Sequence, residues 1–75
     1  MNLINGEKGF VYKVKSINLA ENVKRRFEIL GMIKDTEILI LNKKKNGSVI
    51  IKLRGTRFAI GKNFAKEIKI GGAAD

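Results

Sequence analysis

The 75-residue chain contains no cysteine and no histidine. Without cysteine there are no disulfides, thiolate metal sites or thiol chemistry, a composition that suits a cytoplasmic protein. Without histidine there is no ordinary general base near neutral pH and no imidazole ligand for a metal. Carboxylates are few: Glu7, Glu21, Glu28, Asp35, Glu37, Glu67 and Asp75. Asp35 and Glu37 are close in sequence, but two carboxylates make a weak site for any divalent ion; solvated loop and strand-start charges describe them better. The spaced glycines, Gly6 and Gly9, then Gly55 and Gly61, match neither a P-loop nor a dinucleotide fingerprint. No catalytic residue, metal site or cofactor is assigned, and an enzyme is not expected. No apolar run approaches the roughly 18–20 residues of a membrane span. The opening MNLINGEKG lacks the basic region and apolar stretch of a secretory signal.

What is present fits one small domain. A chain of this length buries only about 60% of the surface it exposes when unfolded, so it folds without enclosing a deep cavity. Sixteen Lys and Arg oppose seven Asp and Glu, a net charge of +9. That balance keeps a small protein dissolved, and it also favours an acidic partner: nucleic acid, an anionic membrane surface or an acidic protein face.

Lys8 to Ile17 is rich in Val, Ile and aromatics and reads as a strand. Val11 and Tyr12 are adjacent apolar residues, and a bulge near Val11 would decide which faces inward. In NLAENVKRRFEILG, Asn18 and Glu21 resemble a capping box. Ala20, Val23, Phe27 and Leu30 then recur at helical spacing, and Glu21 stands one turn before Arg25, the better order for an ion pair. Gly31 fits the position just past the helix end, where the chain turns left-handed at no steric cost. Met32 would then fold back on Phe27 and the chain would reverse into a sheet.

Thr36 to Asn42 and Ser48 to Leu53 form a hairpin around KKNGS, whose Asn-Gly is a turn signal. Gly55 permits a second tight reversal into a strand from Arg57 to Ile60. GKNFAKE reads as one helical turn, and Ile68 to Ile70 as a closing strand. Residues 1–70 make the domain and 71–75 a loose tail. Five short strands with one helix inserted after the first predict a mainly β fold, a small, partly open SH3-like barrel. Its expected core is Val14, Val23, Phe27, Leu30, Ile38, Ile40, Ile51 and Ile68.

With Val23, Phe27 and Leu30 facing inward, Arg25 and Ile29 face out, with Lys24 and Arg26 on the flanks. An apolar side chain bordered by arginines has the composition of a small protein-binding patch. Leu39 and Leu41 add to it, because Ile38 and Ile40 already supply the opposite face of their strand. Of the aromatics Phe10, Tyr12, Phe27, Phe58 and Phe64, most read as core-directed, which leaves few stacking platforms for nucleic acid.

Three segments together resemble the ferrous-iron transport protein A (FeoA) family: GEKGFVYKV, RRFEILGMIKDTEI and IIKLRGTRFAIGKNFAKEIKI. The most specific is Leu30-Gly31-Met32 followed by Thr36 and two apolar strand residues; the second anchor is RGTRFAI, then Ala65 and Ile68. Asp35 stands where the family usually has a glycine, and the KKKNGS hairpin lacks the apolar or proline residues often seen there. The resemblance implies an SH3-like barrel in the cytoplasm, acting as an accessory to the membrane ferrous-iron transporter FeoB through its GTP-binding domain. It also implies an association with transition metals, ferrous iron above all, that the ligand inventory does not support. Two other readings remain open. One is a basic nucleic-acid-binding barrel. The other is the C-terminal barrel of an iron-dependent repressor, not expected of a chain that starts at Met1 without a helical DNA-binding unit.

Overall fold

Burial at alternate positions along each strand builds the sheet, with one break of phase before Ile17. The computed structural model describes residues 1–72. Five antiparallel strands, β1 (Val11–Ile17), β2 (Glu37–Lys43), β3 (Val49–Leu53), β4 (Thr56–Ile60) and β5 (Ile68–Gly72), pair in the order β4-β3-β2-β1-β5. The edge strands β4 and β5 do not pair with one another, so the barrel is partly open, as expected of an SH3-like fold. Helix α1 (Glu21–Ile29) is inserted between β1 and β2, and the single-turn helix α2 (Lys62–Ala65) between β4 and β5.

The inner face carries Tyr12, Val14, Ile17, Ile38, Ile40, Val49, Ile51, Leu53, Ile60, Ile68 and Ile70, all buried. Three residues from outside the strands complete the core: Leu3, Met32 and Ala65. Leu3 belongs to a 3-10 turn, Leu3–Asn5, held by a capping box. The Asn2 Oδ1 accepts from the Ile4 and Asn5 amides at 3.0 and 3.2 Å, and the Asn5 Oδ1 accepts from the Asn2 amide at 3.1 Å. The next residue, Gly6, is buried, and a Cβ there would run into Ile40 Cδ1.

Several expectations need correction. No bulge occurs at Val11: simple alternation leaves Val11 exposed and Tyr12 buried. The irregularity lies further along, where the pairing of β1 with β5 shifts between Val14 and Ser16 and brings Ile17 rather than Ser16 inward. The capping box at Asn18 does not form. The Asn18 amide donates to the Glu67 carbonyl at 2.9 Å, which ties Asn18 to the α2–β5 connection. The helix therefore starts two residues later, with Ala20 at its N-cap and no side-chain cap. Glu21 and Arg25 make no ion pair; among the described residues the one pair is Lys15–Asp35, at 3.9 Å.

The largest correction concerns the core. No residue of α1 is buried: Val23 and Phe27 are half-buried and Leu30 is exposed. The inner face of the sheet, with Leu3, Met32 and Ala65, already fills the interior. Only the rim is left for the helix, which packs there through Phe27. Gly71 and Gly72, expected in the tail, continue β5 opposite Lys13 and Tyr12; the rest of that tail lies outside the described residues.

The turns follow their chemistry. The Gly47 amide donates to the Lys44 carbonyl at 3.0 Å, the Lys44 amide to the Ser48 carbonyl at 2.8 Å, and Gly47 has φ +93°. This is a three-residue loop closed by a glycine bulge, the next commonest hairpin after two-residue turns. Between Leu53 and Thr56, Arg54 (φ +51°) and Gly55 (φ +80°) make a two-residue turn of the primed type that matches strand twist. Asp35 also has positive φ, +70°, a conformation that aspartate tolerates better than most side chains.

Candidate interaction surface

The end of α1 fixes everything that the helix presents. Leu30 is the C-cap, the Gly31 amide donates to the Glu28 carbonyl at 3.0 Å, and the Met32 amide donates to the Phe27 carbonyl at 3.0 Å. This pair of bonds is the Schellman ending, and Gly31 takes the positive φ it requires, +109°. Reversed by Gly31, the chain drops the Met32 side chain into the core. The Arg54 side chain lies over the glycine: a Cβ on Gly31 would meet its Cδ at 3.1 Å and its Nε at 3.2 Å. The second reversal, at Gly55, thus brings Arg54 against the end of the helix.

Around this fixed end, α1 exposes apolar surface on two sides. Ile29 is 79% exposed, with Arg25 and Arg26 exposed beside it. On the other side the expected core stripe forms the wall of an open cleft of about 230 Å³, lined by Val23, Arg26, Phe27, Leu30 and Phe64. Phe64 comes from α2, and its ring meets Phe27 edge to face, with centroids 5.7 Å apart and planes at 67°. Leu30 is 45% and Phe64 42% exposed, so the cleft is half open. Such a depression, apolar at the base with an arginine at its rim, suits one inserted apolar side chain with an acidic neighbour.

Lys24 is set apart from this cleft. It lines a more polar hollow of about 220 Å³ between α1 and β1, with Glu28, Met32, Ile33 and Lys34. Leu39 and Leu41 are half-buried on the outer face of β2, opposite the buried Ile38 and Ile40, and neither lines the α1 cleft. The structure thus brings Arg25, Arg26 and Ile29 together, leaves Lys24 at their margin, and assigns Leu39 and Leu41 to a different surface.

Sequence reading missed Phe64, Phe27, Leu30 and Val23 as surface residues. The available signal was arithmetic: alternating strands already supply enough apolar side chains for a core this small. The aromatics differ from expectation for the same reason. Only Tyr12 is buried; Phe27 and Phe58 are half-buried, while Phe10 is 56% exposed and Phe64 is exposed as well. The Tyr12 hydroxyl accepts from the Glu7 amide at 2.8 Å.

Among the described residues no three carboxylates, histidines or cysteines gather where a metal could be held. Asp35, the acid nearest Glu37 in sequence, faces Lys15. This donor set does not fit a transition metal, which takes nitrogen, sulfur or clustered carboxylate ligands. Among the described residues no helix is long and apolar enough to cross a membrane.

Comparison with known proteins agrees with this architecture. A FeoA-like protein from Clostridium acetobutylicum shares 29% identity and superimposes with a TM-score of 0.80, over 96% of this chain and 85% of that one. The zinc complex of FeoA from Stenotrophomonas maltophilia, described as an SH3 domain protein and a candidate ferrous iron transport activating factor, is 27% identical. Its TM-score is 0.79, over 93% of this chain and 88% of its own. A manganese-dependent transcriptional repressor shares the fold alone, at 18% identity and a TM-score of 0.85, and this chain spans 41% of its length. A search of curated proteins returns no match. The FeoA domain model matches residues 1–71, and the chain belongs to the FeoA family.

Proposed function

We propose that this chain is a non-enzymatic, cytoplasmic binding module of ferrous iron transport. In this reading it docks through α1 on the cytoplasmic GTP-binding domain of a FeoB-type transporter. The observation that carries the reading is the exposure of α1 on both sides: Ile29 at 79%, one turn after Arg25 and Arg26, and the Phe27–Phe64 cleft beside it. A helix that gives its apolar side chains to solvent rather than to the core leaves them for a partner, and exposed apolar anchors ringed by arginine are where binding energy concentrates. The description of the Stenotrophomonas relative as a candidate ferrous iron transport activating factor supports the same class of role.

The regulation would come from binding alone: the chain has no histidine or cysteine, and among the described residues no group of side chains could hold a metal. The net charge of +9 would speed encounter with an acidic face, an effect that falls with ionic strength.

The test is a titration of the transporter's cytoplasmic domain with the wild-type chain and with the Arg25→Glu, Ile29→Glu double variant. Both side chains are exposed, so the variant should stay folded. Docking should weaken by a few kcal/mol if Ile29 is a hot spot, and added salt should reproduce only the arginine share. Unchanged affinity in the folded variant would remove α1 from the interface.

A further inference from the structure

We propose that the outer face of the sheet and the β2–β3 hairpin form a second surface, one that adsorbs to the headgroup region of an anionic lipid bilayer. The strand register assembles it. Val11, Leu39, Lys52 and Arg57 stand in one row across β1, β2, β3 and β4. Ile50 and Ala59 face each other in the next row, and Leu41 sits where the β2–β3 pairing shifts between Ile40 and Asn42. Val11 is 41% exposed, Leu39, Leu41 and Ile50 are half-buried, and Ala59 is exposed. The face is therefore a shallow aliphatic strip rather than a cleft.

Charge says what would cover it. Past Ile50 the hairpin ends in Lys44 and Lys45, with Lys43 at its margin opposite the inward Val49, all three lysines exposed, and Lys52 and Arg57 stand within the strip itself. Glu37, paired with Lys13, stands on this face two residues before Leu39, at the end of β2 away from the hairpin, and Glu7 is exposed in the segment before β1. Glu21 and Glu28 lie on α1, Asp35 on the loop before β2 with Lys15, and Glu67 after α2. The one ion pair among the described residues is Lys15–Asp35, so no described carboxylate pairs with the lysines of the hairpin.

Several cations around a shallow aliphatic strip match an anionic headgroup layer. The lysine stems lie along apolar surface while their ammonium groups reach the phosphates, and the aliphatic side chains need no matching pocket. A nucleic acid would call for aromatic platforms within the strip, and its two rows of apolar residues are aliphatic. The proposal is independent of α1 docking, because none of these residues lines the α1 cleft.

The test is flotation of the full chain with vesicles of phosphatidylcholine, alone or with a third phosphatidylglycerol. Two charge-matched triple variants are compared, Lys43→Gln, Lys44→Gln, Lys45→Gln on the hairpin and Lys24→Gln, Arg25→Gln, Arg26→Gln on α1. The wild-type chain should float with the anionic vesicles, bind more weakly as salt rises without being fully released, and ignore the neutral ones. At about fivefold per cation near the surface, the hairpin variant should bind about a hundredfold more weakly, and the α1 variant should change by less than about fivefold. Val11→Ser with Leu41→Ser should weaken the binding that survives in high salt. Equal losses from the two triples would overturn the proposal, because net charge alone would then explain adsorption. So would equal binding to neutral vesicles, no binding to anionic ones, or displacement from them by single-stranded RNA at matched phosphate concentration.

Discussion

Replacing Gly31 by alanine should destabilise the domain by about 1–2 kcal/mol, and the reason can be separated into two parts. The first is backbone strain. Gly31 has φ +109°, and a β-carbon in the left-handed half of the map costs roughly 1–2 kcal/mol. The second is contact with Arg54, whose Cδ and Nε would lie 3.1 and 3.2 Å from the new Cβ. Those distances require a shift of a few tenths of an ångström. Arg54 is exposed and its long side chain can move, so this part should be close to zero. Urea or thermal unfolding of Gly31→Ala, Arg54→Ala and the double variant gives both parts from one cycle. For a domain of this size, 1 kcal/mol lowers Tm by about 4–8 °C. The strain argument requires that Gly31→Ala lose the same stability in both backgrounds, with a coupling below about 0.5 kcal/mol. Full rescue by Arg54→Ala would show that the side-chain contact, not the dihedral angle, demands glycine. No loss in either background would refute the left-handed ending of α1.

Phe27→Ala should cost about 1.5–2.5 kcal/mol in urea unfolding, roughly half the 3–5 expected of a buried phenylalanine, while Ile51→Ala, fully buried, should cost about 2–5. A Phe27 variant appreciably worse than the Ile51 variant would return the helix to the core. Gly6→Ala should destabilise by about 1–3 kcal/mol through overpacking, because its Cβ would displace the buried Ile40 side chain; a neutral or higher melting temperature would contradict this. Ferrous iron should bind the isolated chain weakly or not at all, given a donor set without histidine or cysteine. Anaerobic calorimetry showing tight, stoichiometric binding would overturn that reading.

The strands and the hairpin were legible because their signals are local. Lys52 between Ile51 and Leu53 leaves one choice of inward face there, the β-branched Ile38 and Ile40 mark their strand although Leu39 and Leu41 make both its faces apolar, and Asn46-Gly47 and Gly55 mark reversals that few other residues allow. The end of α1 was legible for the same reason: Leu30, Gly31 and Met32 carry a complete capping signal. What failed was non-local. Asn18 carries the side chain for an N-cap, but a backbone bond to Glu67, across the chain, holds it elsewhere. The phase change in β1 between Val14 and Ser16 arises from pairing with β5, which no window around Val14 contains.

The helix stripe shows where such reading stops being about folding. Periodicity identifies Val23, Phe27 and Leu30 as one face, but not what covers that face. Coverage depends on how much interior the other elements leave, and here Leu3, Met32 and Ala65 close it with the strands. Phe27 and Phe64 still meet edge to face, a contact worth about 0.5–1.5 kcal/mol beyond burial, yet Leu30 and Phe64 stay nearly half exposed. Had selection acted on the stability of the isolated chain alone, a polar residue at Leu30 or Phe64 would lose little of that burial and improve solubility. The same two positions are the natural place to add the apolar area of a partner. Substitution at Leu30 should therefore move docking more than it moves unfolding, the reverse of what Ile51 should do.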